Sequence, residues 1–358
     1  MSEEHREKKK LESFLKEISE AHGVSGYEDL VAGPIERAFS QYVDEIRRDN
    51  LGNLIFYKKG KSDAAPRLMF CAHMDEIGLI VTFIEKKGFL RFNSLGGFDV
   101  RTLPGQEVTI YGKEIYSGVI GQLPSHLRKG EQKEKAPEMK DLFIDTGLPE
   151  EIVRDQIDVG SVVALQREFI PLRHRCRAGK AFDDRAGVAL LWQCAYELSR
   201  MDHEAHVYLV ATVQEEVGIR GAMVSTYGLT PDLGVAVDVC HGDIPGAAEH
   251  EVSPLGKGPV ITSGPNIHPR LAERLMAVGK DYGIPFEQDI SPGPTGTDAR
   301  AIQVSRDGIP TALLSVPLRY MHTSVELLDL DDLKGGGRLL AFFAAGVDRS
   351  FVEGLTCF

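Results

Sequence analysis

The stretch Tyr208–Ala222, YLVATVQEEVGIRGA, places two carboxylates, Glu215 and Glu216, directly behind an apolar β-run. Adjacent acids at the end of a buried strand repel each other and lose solvation, so a cation or a catalytic task must compensate. Other apolar runs lead to similar residues. LMFCAHMDEIG ends in His73 and Asp75, GVAVDVCHG in Asp238, and LLSVPLRYMHTSVE reaches His322. GKAFDDRAG sets Asp183 and Asp184 at the start of a helix. Each has an ordinary explanation when taken singly: a chance HxD, a solvated turn, a helix cap, a core histidine. Their joint occurrence at the ends of apolar runs is what the ordinary explanations do not cover. Two imidazoles with several carboxylates, and no cysteine motif, suit Zn²⁺, Co²⁺ or Mn²⁺. Two metals need a bridging ligand, and the two oxygens of Asp183 could span ions ~3.5–4 Å apart.

Such residues meet only if the elements behind them converge. Leu11, Phe14, Leu15 and Ile18 mark a first helix that Gly23 stops. Ser25, three residues ahead of Glu28, reads as the cap of a second. Strands are expected around 43–48, 53–57, 68–72, 207–213, 233–237 and 311–316, with helices from Asp183, around 271–282 and near 333–347. This alternation predicts an α/β fold, a three-layer α/β/α domain on a mixed central sheet. In open α/β sheets the carboxyl ends of the strands line the ligand crevice, which would bring the candidate residues to one edge. From about 77 to 165 the texture changes to short β-runs and glycine-rich turns, predicting an inserted small β-barrel-like domain. The division is 1–74 and 168–358 for the α/β domain and 75–167 for the insert. The charged segment His126–Asp141 reads as a mobile loop within it.

A net charge of -12 with no basic stripe argues against a nucleic-acid partner. No stretch is apolar enough for a membrane span or a signal core. The five cysteines are scattered, which reads as reduced thiols in a cytoplasmic protein. Cys240 and His241 are neighbours in sequence, which is not a nucleophile–base geometry. LGGFDV and LKGGGR lack the context of a phosphate-binding loop.

The ordered motifs AHMDEIG, FDDRAG, TVQEEVGIRGA, AVDV, GPTGTDA and YMHTSVE resemble those of the tetrahedral (TET-type) metallo-aminopeptidases, family 42 of the metallopeptidases. That family includes glutamyl and deblocking aminopeptidases, and some members carry the label endoglucanase M or cellulase M. The resemblance spans nearly the whole chain. It implies an aminopeptidase with two divalent metal ions per subunit, zinc before cobalt or manganese. His73 and Asp238 would hold one metal, Glu216 and His322 the other, and Asp183 both. Glu215 would be the general base on a metal-bridging water, with Asp75 orienting His73. Asp298, within GTDA, receives no role. The resemblance also implies peptide substrates and a homo-oligomer of dimers assembling to a dodecamer, with the insert as the dimerisation domain. A dipeptidase or deacylase on the same scaffold, or a glycoside hydrolase, stands as the alternative.

Overall fold

The structure, a computed structural model, describes residues 3–127 and 136–355. At its centre is an eight-stranded sheet. In spatial order its strands are Glu45–Arg48, Leu54–Lys58, His206–Thr212, Arg67–His73, Leu233–His241, Thr311–Leu318, Val260–Ser263 and Glu287–Ile290. The middle four, from His206–Thr212 to Thr311–Leu318, run parallel. Antiparallel strands flank them on either side, so the sheet is mixed. Strands covered on both faces need to be apolar throughout, and RLMFCAH is buried beyond its first residue.

Successive residues of a strand face opposite sides of its sheet. Met69 meets Thr226 of the helix Arg220–Leu229, while Phe70 meets Phe343 of the helix Leu330–Ala345. Helices therefore cover both faces and make three layers. The helix Phe182–Leu198 is buried on nearly every side, packed against the sheet and alongside Leu330–Ala345. The glycines of LKGGGR permit that approach. A Cβ on Gly336 would stand 2.3 Å from Leu190 Cδ1, and one on Gly337 2.5 Å from Gln193 Cβ. The glycine run is a seam between helices.

Between the sheet strands Arg67–His73 and His206–Thr212 the chain forms a closed barrel. Around it run Gly78–Ile84, Leu90–Leu95, Leu142–Asp145, Ile115–Gln122, Glu107–Tyr111 and Val162–Leu165. Closure leaves no unpaired edge and encloses a separate core that includes Leu79, Leu90, Phe92, Ile110, Ile144 and Val163. A small sheet of Ile170–Pro171, Cys176–Gly179 and Glu326–Asp329 lies outside both.

Two expectations change. Ser25 does not cap the second helix, Asp29–Phe39, whose N-cap position is Glu28 with no side-chain cap. The Ser25 hydroxyl instead donates to Asp75 Oδ2 at 2.6 Å. Asp238 does not end its strand, which pairs with Thr311–Leu318 as far as His241. Of the charged segment His126–Asp141, residues 128–135 lie outside the described ones, as does Cys357. The other four cysteines are free. Among the described residues no helix is long and apolar enough to cross a membrane.

Candidate metal centre

The parallel strands deliver the chemistry-bearing residues to one edge. His73 is the last residue of its strand, Asp238 lies within the next, and His322 follows the strand Thr311–Leu318. Glu215 and Glu216 occupy the turn after His206–Thr212, closed by hydrogen bonds from the Gly218 and Ile219 N–H groups to the Glu215 carbonyl. Asp183 enters from the first turn of Phe182–Leu198, where its backbone and that of Asp184 are not yet helical. Three of these segments carry a non-glycine residue in the left-handed region: Ala181 (φ 56°), Gln214 (φ 56°) and His322 itself (φ 61°). Such residues cost roughly 1–3 kcal/mol each and persist where the surroundings over-determine them.

Asp183 turns one oxygen to each imidazole. Its Oδ1 is 3.1 Å from His73 Nε2, and its Oδ2 is 3.2 Å from His322 Nε2. His322 Nε2 is also 3.5 Å from Glu216 Oε1. Two sets of donors result, His73–Asp183–Asp238 and Asp183–Glu216–His322, each with its donor atoms within 4.8 Å of one another. The structure thus brings together all five residues that the sequence suggested as ligands. The set is chemically fit for divalent cations of the zinc type: two imidazoles, carboxylates and no thiolate. The other nitrogen of His73, Nδ1, faces the backbone carbonyl of Asp75 at 3.1 Å, leaving Nε2 for the centre.

The electrostatics agree with that chemistry. Glu215 is 9% exposed, and its carboxylate has no hydrogen-bond partner among the described residues. Burial, with Asp238, Asp298 and Glu216 nearby, pushes its pKa up to about 10 against the pull of His73. Burial and Asp183 push Glu216 to about 7. Burial likewise holds Asp238 and Asp184 well above the usual carboxylate range. Burial opposes charge on His73, yet hydrogen bonds to Asp183 and Asp75 hold its pKa well above the ordinary histidine value. The hydrogen bond to Asp183 raises His322 to about 9. So many buried acids in one place are costly alone, and a bound cation offsets that cost.

Several supporting contacts were not evident from sequence. Glu326 accepts the Asp183 N–H at 3.1 Å with Oε2 and the His322 N–H at 3.0 Å with Oε1. Asp184 accepts the His73 N–H at 3.2 Å. Asp75 does more than face His73: its carboxylate accepts the N–H groups of both Glu215 and Glu216. Asp298 accepts the Thr212 hydroxyl at 2.6 Å. The barrel also reaches the site. A Cβ on Gly96 (φ 85°) would stand 3.3 Å from Glu216 Oε2, and one on Gly97 3.2 Å from His322 Nδ1. The glycine pair in LGGFDV is the only sequence signal for this contact. His250 also lines the cavity above the centre.

A layered α/β sheet with an inserted barrel gathers imidazoles and carboxylates at its strand ends, a donor set fit for divalent cations. A sequence profile of the M42 glutamyl aminopeptidases matches residues 52–339, and the chain belongs to that family. It is 40% identical over 327 residues to the lysyl aminopeptidase of Pyrococcus furiosus, covering 89% of this chain and 92% of that one. An aminopeptidase of the archaeon Desulfurococcus kamchatkensis shares the fold with a TM-score of 0.90 at 36% identity, over 98% of each chain. The TET1 peptidase of Pyrococcus horikoshii, which assembles into a tetrahedron or a large octahedral shell, gives a TM-score of 0.83 at 33% identity. That match covers 94% of this chain and 100% of the relative.

Proposed function

We propose that the protein is a cytoplasmic aminopeptidase that removes N-terminal residues from peptides at a centre for two divalent cations, zinc first, with cobalt or manganese as alternatives. The observation that carries this reading is the membership of Asp183 in both donor sets. His73 and Asp238 would hold one ion, Glu216 and His322 the other, and Asp183 both. Bound there, the ions supply Lewis acidity for the scissile carbonyl and for water. Glu215 takes the proton of the attacking water and returns it to the departing amine. A carboxylate with no hydrogen-bond partner among the described residues is free to take that proton and return it. Asp75 keeps Glu215 aimed by holding its backbone.

The test is a panel of aminoacyl-p-nitroanilides against metal-stripped protein resupplied with Zn²⁺, Co²⁺ or Mn²⁺. Activity should return only with metal and should vanish on substrates whose amino group is acetylated. Hydrolysis of the acetylated substrates would instead mark a deacylase. Cleavage of a β-glucan in chelator would mark a glycosidase, whose two-carboxylate chemistry needs no metal.

We further assign residues 75–167 as an insert that joins dimers, with the dimers closing into a twelve-subunit shell. The support is the P. horikoshii relative, whose assembly is tetrahedral or octahedral. Light scattering that returned a monomer mass across a range of concentrations would end this assignment.

A further inference from the structure

Residues 25–28, SGYE, have the pattern of a capping box, yet neither polar side chain caps the helix Asp29–Phe39. Ser25 donates to Asp75, and Glu28 reaches a distant part of the chain. The Glu28 Oε1 accepts the N–H of Gln214 at 3.2 Å, 186 residues away in sequence, and that of Gly26 at 2.7 Å. Glu28 is buried and is not on the wall of the cavity above the centre.

The four successive N–H groups from Val213 to Glu216 are all accepted by side chains. Val213 donates to Asn53 Oδ1 at 3.0 Å, Gln214 to Glu28, and Glu215 and Glu216 to Asp75. Three separate segments thus hold one short stretch of backbone. Within it Gln214 is the residue in the left-handed region, with φ 56°. A non-glycine residue persists there only where its surroundings over-determine it. Asp75 acts on the two residues that follow, whereas Glu28 acts on Gln214 itself.

This hold has a cost. Burial pushes the Glu28 pKa up to about 7 against the pull of the Gly26 N–H, and the nearby Asp75 adds to the rise. A neutral side chain would avoid that cost. What an ionised carboxylate adds is a stronger, charge-assisted grip on the N–H.

We propose that Glu28 is a positioning residue for the reaction, which sets the direction of the Glu215 carboxylate by fixing Gln214 in its left-handed conformation. The proposal rests on the reading of Glu215 as the base. The effect passes through the backbone: with Gln214 extended, Glu215 would continue the alternation of the strand instead of the turn.

The experiment is a double-mutant cycle with an aminoacyl-p-nitroanilide on wild type, Glu28→Ala, Glu215→Gln and the two combined. Glu28→Ala should lower kcat about ten- to hundredfold, with KM little changed and the metal content of the wild type. In the Glu215→Gln background the same change should cost less than about threefold, because the group it aims is no longer a base. Glu28→Gln keeps an acceptor oxygen and should regain most of the loss. Equal losses in both backgrounds would mark a general structural role and overturn the proposal. Wild-type kcat or depleted metal in Glu28→Ala, or equal losses in the alanine and glutamine variants, would also overturn it. Should Glu28→Ala not fold, Glu28→Asp, which withdraws the carboxylate by one methylene, takes its place. If Glu215→Gln keeps wild-type kcat, the base reading fails, and hydrogen exchange decides whether Glu28 fixes the turn. A peptide covering residues 213–218 should then exchange about tenfold faster in Glu28→Ala and not in Glu28→Gln. Unchanged exchange overturns the hold on Gln214.

Discussion

Asp75 Oδ1 lies 3.0 Å from the backbone nitrogen of Glu215 and accepts its N–H. The other oxygen accepts the Glu216 N–H at 3.2 Å and the Ser25 hydroxyl at 2.6 Å. One buried carboxylate therefore fixes the turn that carries both acids of QEEVG. On a regular strand, neighbouring side chains would point to opposite faces. The turn begins at Gln214, in the left-handed region, and lets both acids line the same cavity.

Asp75→Asn leaves one acceptor oxygen for a task that uses two. Activity should fall about ten- to hundredfold, as is typical when support behind a metal centre is lost. Steady-state kinetics and metal titration measure it. A variant with wild-type activity would show that the turn holds without Asp75.

Glu215→Gln and Glu216→Gln should differ in kind. The first keeps size and both metals but cannot take a proton, and kcat should fall ~10²–10⁴-fold. The second should lose metal first and recover part of its activity in excess Zn²⁺ or Co²⁺. Metal content and kcat on both variants decide it. The opposite pattern would exchange the two roles, and full activity with full metal in both would misplace the centre.

Asp183→Asn removes the negative charge shared by the two donor sets. Metal analysis should show depletion at both sites. A variant that still holds two equivalents tightly would contradict a shared ligand.

Asp332 gives a prediction about pH. It accepts the Gly256 and Gly258 N–H groups at 2.8 and 2.7 Å, pinning the loop that leads into the strand Val260–Ser263. Burial nevertheless raises its pKa to about 7. The folded state holds this proton more tightly than the unfolded chain does. Its contribution to stability is complete below about pH 4 and is lost as the pH rises through about 7. Asp332→Asn cannot titrate at this position. The wild-type Tm should therefore gain on that of the variant as the pH falls from about 8 to about 5. A difference in Tm that stays constant over this range would refute the shift.

What was legible in the sequence has a common physical basis. Carboxylates and imidazoles are conspicuous behind apolar runs because burial there is costly, so His73, Glu215, Glu216 and His322 stood out. What escaped notice is of two kinds. Glu326 acts on backbone N–H groups, one of them 143 residues away in sequence, and backbone donors leave no mark in residue type. Gly96 and Gly97 act by having no side chain, in a barrel loop that spacing alone does not bring to the sheet edge. Ser25 shows the converse. Its S-x-x-E pattern is that of a capping box, but the hydroxyl has a buried carboxylate partner and the tertiary bond wins. The strand Glu287–Ile290, EQDI, was missed because an exposed edge need not be apolar.

His73 and Asp183 touch across 110 residues of sequence, and most of that interval is the barrel. The first donor set needs the chain as far as Asp238, and the second needs it as far as His322 with Glu326 behind it. A chain still being made on the ribosome therefore holds only scattered parts of the site. It cannot trim the N-terminus of a neighbouring nascent chain, or its own, until Glu326 has been made and folded against His322.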